Sequence, residues 1–298
     1  MSLSHVRSLF LCFSLIALSW IGDGKLCSGA GEKEGNGTVA VFTEQMVKKA
    51  MLHCEVDGCR VTVKINGWPV LWRRNFSCDN TIGHWIKNGE NVLTTEASLI
   101  KGRFDGFYNA VVYLKSEKTG ELVKDLPTEL SDEIAADKAG KIWKFNATMP
   151  EKWNWEKGAP IENITTEDRL KIRGVCQELF DALKGKDVEH VLEMRDLTLV
   201  DAARLGNIPK KGIVEQNRKF YKETLSKSIG INLASFDKDV DLIANGYGVS
   251  VMPKKNAPDD WIIQIKLSEQ TERHPASSWN IESVMLAKID GVWRMVDW

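Results

Sequence analysis

The pattern of apolar residues in this chain changes once, between residues 150 and 165. Before this stretch, short runs alternate between apolar and polar positions, as Val61, Val63 and Ile65 do, and turn signals separate them. This pattern predicts an all-β sandwich. After the stretch, apolar residues at helical spacing come first and strand-like runs follow from Gly230 onward, which predicts α+β structure with a curved sheet packed on helices. The stretch itself is punctuated by Pro, Trp and Gly, so we place a domain boundary there.

Composition narrows the classes of protein to which the chain can belong. Its 298 residues are enough for two domains of ordinary size. A hydrophobic fraction of 43% and a charged fraction of 27% exclude a disordered chain, a collagen-like chain and a multi-span membrane protein. The net charge of -1 offers no strong attraction to a phosphate backbone. We therefore expect two domains and no nucleic-acid partner.

The N-terminus has the order of features found in a secretory signal peptide. Arg7 precedes an apolar run at residues 9–21, which is too short for a comfortable membrane span. Cleavage after Ala30 would remove a signal peptide of residues 1–30, and a cut nearer Gly24 is an alternative. We expect export to the periplasm or secretion, with no integral membrane span after cleavage. An uncleaved anchor or a lipidated cysteine is the alternative.

Four cysteines would remain after cleavage, and an oxidising compartment favours their pairing. Asp57-Gly58 lies between Cys54 and Cys59, and this dipeptide predicts a tight hairpin turn. The turn would place the two sulfurs diagonally on one sheet face, which is a strained geometry for a disulfide. We therefore expect either Cys54 or Cys59 to pair with Cys78, and Cys176 to be a buried thiol. The cysteine spacing without a histidine cluster predicts no metal site.

The segment 81–93 reads as a short helical turn that carries Trp85 inward and ends at Gly89 in a left-handed conformation. Together with the strand that ends at Asn66-Gly67, it resembles the galactose-binding-like β-sandwich found as an accessory domain in many glycosidases. The resemblance implies a sandwich domain over residues 39–155. It lies in scaffold elements, so it implies a fold and not a ligand.

The end of the chain, Met285 to Trp298, reads as two long strands joined by Asp290-Gly291, with a Trp after the turn. It resembles the terminal hairpin of the NTF2-like family, which has a cone-shaped α+β fold. The resemblance implies an NTF2-like domain over residues 165–298. It also implies an enclosed pocket and a homodimer formed through this domain.

Candidate site residues fall in both halves. Exposed Trp side chains can stack on sugars, and Trp beside Arg is typical of interface centres, whereas core packing is the alternative, which we favour for Trp85 and Trp143. The predicted binding surface consists of Trp68, Trp72, Arg73, Arg74, Trp153 and Trp155. The predicted pocket of the second domain contains Tyr247, Trp261 and Trp279. His274 and Asp297 are candidates for an acid–base pair, although His274 lies in a polar segment that reads as a solvated loop.

No nucleophile elbow, His-Glu-x-x-His motif or phosphate-binding loop occurs in the chain. We therefore expect an exported, non-catalytic cell-envelope protein without cofactor or metal, whose β-sandwich recognises a protein partner. Two alternatives remain open. One is a carbohydrate-binding accessory module, and the other is an NTF2-like enzyme acting on a small hydrophobic molecule.

Overall fold

A computed structural model describes residues 41–100, 105–115, 122–125, 130–134, 140–254, 257, 261–268 and 278–298, with the side chains of residues 73–78, 115, 122–125 and 130–134 left out. The predicted signal peptide and His274 lie outside the described residues. So do the side chains of Arg73, Arg74 and Cys78.

The first half of the chain forms one branched sheet. Its strands run in the order β1-β8-β4-β2-β5-β6, with β3 paired to β2 and β7 paired to β5. The elements are β1 (Val41–Phe42), α1 (Glu44–Lys48), β2 (Ala50–Ile65), β3 (Trp68–Thr81), a 3₁₀ turn (Gly83–Trp85), β4 (Gly89–Leu99), β5 (Gly106–Lys115), β6 (Leu122–Asp125), β7 (Leu130–Ile134) and β8 (Ile142–Ala147).

The long strand β2 organises this sheet, because it pairs with β3 along its length and with two further strands in succession. Its first part pairs with β5 and its second part with β4. Between them Gly58 has a φ of +66°, and the register with β3 shifts between Val56 and Arg60. The predicted hairpin at Asp57-Gly58 is therefore wrong. The left-handed glycine serves an irregularity within one strand, as in a β-bulge, and not a turn between two strands.

The second half has helices first and strands afterwards, as the sequence pattern predicts. The elements are a 3₁₀ turn (Asn154–Lys157), α2 (Thr166–Lys184), α3 (Val188–Met194), α4 (Asp196–Gly206), α5 (Lys210–Ser226), β9 (Ser228–Leu233), α6 (Phe236–Asp239), β10 (Val240–Ala244), β11 (Val249–Pro253), β12 (Ile263–Leu267), β13 (Ser278–Ile281), β14 (Val284–Ile289) and β15 (Val292–Asp297). Two antiparallel sheets result, in the orders β10-β11-β14-β15 and β13-β12-β9. None of the described helices is long and apolar enough to cross a membrane.

Two tight turns lie where the sequence predicts them. Asn66 and Gly67 have φ values of 51° and 85° in the turn between β2 and β3. Asp290 and Gly291 have φ values of 51° and 78° in the turn between β14 and β15. Positive φ at both central residues is the requirement of the hairpin turn that matches the twist of antiparallel strands. Gly89 also has the predicted left-handed φ, at 83°.

Two hydrophobic cores support this arrangement, and the first one draws on both halves of the chain. It is built mainly from the first sheet but includes Met285, Ala287 and Val296 of the terminal hairpin. The second core lies among the helices and the two smaller sheets. The junction between the halves is therefore packed, and it places strands of the first sheet beside the terminal hairpin.

Candidate functional site

The connector after β8 is part of this packed junction. Trp153 and Trp155 are fully buried. The indole N–H of Trp153 donates to the carbonyl of Ile86 at 2.7 Å, and that of Trp155 donates to the carbonyl of His84 at 2.6 Å. Trp68 is also fully buried, and its ring lies 5.1 Å from that of Trp85.

This burial corrects part of the predicted binding surface. Trp68, Trp153 and Trp155 fill the junction and offer no surface to a partner. Trp85 is buried in the first core, and Trp143 packs against its margin, in agreement with the prediction for these two residues. Of the predicted anchors whose side chains the structure describes, Trp72 is the one that is half-buried.

Trp72 lies on β3 between two cavities at the junction. The smaller, of about 200 Å³, lies between β3 with the first 3₁₀ turn and the terminal hairpin. Its lining includes Asn80, His84, Met252, Asp297 and Trp298. The larger, of about 460 Å³, lies between the first sheet and the β10–β11 pair. Its lining includes Arg60, Lys64, Glu96, Asp241, Ile243 and Met252.

Both cavities are lined by Trp72 and Met252. We call the two cavities together the Trp72 groove. The guanidinium carbon of Arg60 lies 4.6 Å from the centroid of the Trp72 ring, so a cation–π contact orients the indole. In the larger cavity the Lys64 ammonium is 2.6 Å from a Glu96 carboxylate oxygen.

The smaller cavity contains a histidine–carboxylate pair that joins the two halves. His84 Nε2 lies 3.1 Å from Asp297 Oδ2, and the other Asp297 oxygen accepts the backbone N–H of Trp298 at 2.9 Å. The imidazole also packs on Trp85, with 4.4 Å between ring centroids. A carboxylate that holds one ring nitrogen fixes the tautomer and leaves the other nitrogen for proton transfer.

Asp297 was expected to pair with His274, whereas its partner among the described residues is His84. Sequence reasoning missed His84 because 213 positions separate it from Asp297. It also missed Trp298, Met252 and Ile243, which carry no motif.

A buried carboxylate strengthens the junction beside His84. Asp201 on α4 accepts the backbone N–H of Asn154 at 3.0 Å and its side-chain amide at 2.9 Å. Burial raises the pKa of Asp201 to about 6, because desolvation disfavours the charged form. The side-chain oxygen of Asn154 also accepts a hydrogen bond from the Lys157 ammonium at 2.8 Å. This network holds the connector against α4.

The three residues of the predicted second-domain pocket do not share one site. The hydroxyl of Tyr247 accepts the Lys87 ammonium at 2.9 Å, and its ring lies edge-on to Trp155 at the junction. Trp279 belongs to an aromatic cluster with Phe220, Tyr221 and Trp298. Trp261 is half-buried, and no contact described in the structure joins it to the other two.

Arg195 lies beside this aromatic cluster. Its guanidinium stacks on Trp298 at 4.5 Å and donates to the hydroxyl of Tyr221. Burial raises the pKa of Tyr221, so this hydroxyl stays protonated at neutral pH. The cluster therefore supports the Trp298 wall of the groove from behind.

The cysteines are distributed over both halves. Cys54 on β2 lies opposite Cys78 on β3 in the strand register. Cys59 donates its thiol to the carbonyl of Phe107 at 3.4 Å, and burial raises its pKa to about 11. Cys176 is buried in the second core, which raises its pKa to about 12. No pair of described cysteine sulfurs lies at disulfide distance, so the pairing with Cys78 stays a prediction.

The described residues contain no group of three or more His, Cys, Asp or Glu that could hold a metal ion. Comparison of the chain with protein-family models, with curated proteins and with solved structures finds no match. Function is therefore inferred from the geometry of the Trp72 groove.

Proposed function

We propose that this chain is an exported, non-catalytic binding protein that holds a segment of a protein partner in the Trp72 groove. The observation that carries the proposal is that two cavities, of about 200 and 460 Å³, share Trp72 and Met252 at the junction of the halves. Ligand sites occur preferentially at such junctions. Two cavities that share one Trp suit a stretch of chain that enters both better than a single compact molecule.

The chemistry of the groove is that of a protein interface. Trp72 with Arg60 combines the two residue types most enriched among interface hot spots. Lys64 and Glu96 neutralise each other's charge, and Met252 and Ile243 add apolar surface. The proposal includes a galactose-binding-like sandwich for the first half and an NTF2-like fold for the second, in keeping with a chain that is mostly β-sheet with several helices.

Photo-crosslinking in the exporting cell tests this proposal. A benzophenone amino acid is placed in turn at Thr62 and Asn80, which line the larger and the smaller cavity, and at the exposed Val292 as a control. We expect one protein to be linked from both groove positions but not from Val292. Trp72→Ala should abolish the link, whereas Trp143→Ala, a half-buried Trp outside the groove, should preserve it. Equal linking from Val292, or no linked protein, would refute the proposal.

The His84–Asp297 pair favours a second candidate function, which is acid–base catalysis on a small molecule in the smaller cavity. The 3.1 Å contact orients the imidazole at a cavity wall, as a general base requires. Native mass spectrometry of the mature protein tests this alternative. A small molecule that is bound by the wild type and lost in Asp297→Asn supports catalysis, and a bare chain argues against it.

A further inference from the structure

Among the strands that the structure describes, none but β11 pairs with β10, so the outer edge of β10 is open. At one end of the β10–β11 pair the N–H of Asn245 donates to the carbonyl of Gly248, and at the other the N–H of Lys254 donates to the carbonyl of Asp239. Bonded and non-bonded pairs alternate along an antiparallel ladder. Three residues of β10 therefore direct their backbone N–H and C=O groups away from β11, namely Val240, Leu242 and Ala244.

This edge has few of the features that normally prevent strand addition, and its one charged residue is Asp241. Proteins protect edges with Lys, Pro, bulges or a covering element. The β10 sequence Val-Asp-Leu-Ile-Ala has neither Lys nor Pro, and its register with β11 is regular throughout. By contrast, β3 at the edge of the first sheet contains a Pro and two Arg. The strand β15, at the other end of the sheet that contains β10, packs against α2 and α4.

The open edge lies beside the larger cavity of the groove. Asp241 and Ile243 line that cavity together with Met252 of β11. Leu242 faces the other way and packs at the margin of the second core. A strand added beside β10 would therefore place alternate side chains in the cavity and the intervening ones over that core margin.

We propose that the partner segment binds by adding a β-strand to the open edge of β10. This inference rests on the proposed function and names its mode of recognition, in which main-chain bonds give affinity and alternate side chains give specificity. The groove also specifies the segment. The expected segment has an apolar residue that packs against Ile243 and Met252. It also has a Lys or Arg opposite Asp241, because opposite charges on facing strands stabilise a pair. The cavity's other charged groups are Arg60, which stacks on Trp72, and the Lys64–Glu96 pair.

The test uses a phage-displayed library of random decapeptides on the immobilised full chain. Recovered peptides are synthesised and titrated by fluorescence anisotropy. We expect alternating apolar peptides with a basic residue. Their affinity should fall at least tenfold for Ile243→Lys and stay unchanged for Ile229→Lys, an exposed Ile on β9. Both side chains are exposed, 36% for Ile243 and 71% for Ile229, so both variants should fold. Selection on Asp241→Lys should recover acidic peptides instead.

Hydrogen exchange supplies the decisive measurement. The amides of Val240, Leu242 and Ala244 should exchange quickly in the free protein and become protected by the peptide. If peptides bind without protecting these amides, or if no peptide is recovered, the strand-addition proposal is wrong. Protection that depends on protein concentration and needs no peptide would assign the edge to a second copy of the chain and also overturn it. Crosslinking of a partner from Thr62 and Asn80 would still support the proposed function in each case.

Discussion

Replacing Asp168 with Asn should destabilise the second half of the chain strongly. Asp168 is buried in the first turn of α2. Its carboxylate accepts the Thr165 hydroxyl at 2.7 Å, the Lys288 ammonium at 2.9 Å and the Trp293 indole N–H at 3.1 Å. The side chain therefore caps a helix and also ties it to both strands of the terminal hairpin.

The magnitude follows from these contacts. Hydrogen bonds to a charged group contribute roughly 1.5–3 kcal/mol each, and removing one member of a buried ion pair costs roughly 3–5 kcal/mol. Asn keeps the shape and one acceptor oxygen, so part of the cap survives, and Lys288 is partly exposed and can regain hydration. We expect the free energy of unfolding to fall by about 3 kcal/mol at pH 7.

The effect should depend on pH in a defined direction. The bonds from Thr165 and Lys288 hold the pKa of Asp168 far below its usual range. A carboxyl with a lowered folded-state pKa contributes stability that is fully present above its unfolded pKa of about 3.9 and is lost as pH falls below it. The difference between wild type and Asp168→Asn should therefore be constant from pH 7 to 5 and shrink below about pH 4.

Urea unfolding followed by tryptophan fluorescence at a series of pH values measures this difference. Glu167→Gln is the matched control, because Glu167 is the adjacent residue, is exposed and, among the residues that the structure describes, pairs with Lys171 across one helical turn. We expect no measurable change for the control. If Asp168→Asn unfolds at the wild-type midpoint, or if the difference is the same at pH 3 as at pH 7, the assigned role of this carboxylate is wrong.

Three further predictions concern the junction, a turn and the cysteines. Because burial raises the pKa of Asp201 to about 6, above its unfolded value, its ionisation opposes folding. The melting temperature should therefore rise as pH falls from 7 to 5, and Asp201→Asn should remove this group's share of the rise. Gly67→Ala should lower the free energy of unfolding by about 1–2 kcal/mol, since φ is 85° there and the new Cβ would lie 2.8 Å from a carbonyl oxygen. Urea unfolding measures this change, and an unchanged midpoint would contradict the strained turn. Alkylation and peptide mapping of the exported protein should show Cys54 bonded to Cys78. Cys54→Ser should therefore release a Cys78 that can be alkylated, and Cys59→Ser should not. The reverse result would assign the bond to Cys59.

Local chemistry explains which parts of the fold the sequence predicts. Asn66-Gly67 and Asp290-Gly291 require positive φ at two adjacent residues, and few dipeptides tolerate this, so the turns are evident without the rest of the chain. The same reasoning fails at Asp57-Gly58. There the positive φ serves a strand that exchanges one partner for another, and partner exchange depends on residues far away in sequence.

The candidate site shows the same limit. Turn and Pro signals place Trp153 and Trp155 in a connector, but they cannot reveal that carbonyls of Ile86 and His84 accept the two indole N–H groups. A buried Trp usually finds such a partner, and the partner here comes from a segment about 70 positions earlier. Trp72 was predicted as an anchor of the binding surface and is half-buried. Its position between two cavities depends on strands of the second half.

The failures at Trp153, Trp155 and Trp72 have one structural cause, the packed junction of the two halves, which also bears on function. The walls of the Trp72 groove come from both halves, so its shape depends on how the halves are fixed to each other. They are fixed by buried polar bonds at the connector, including Asn154 to Asp201 and Trp155 to His84. Buried polar groups are costly unless every bond is made, so this junction favours one relative position of the halves. A groove held in one shape binds an extended segment without first having to order its own walls, and that is where affinity is otherwise lost.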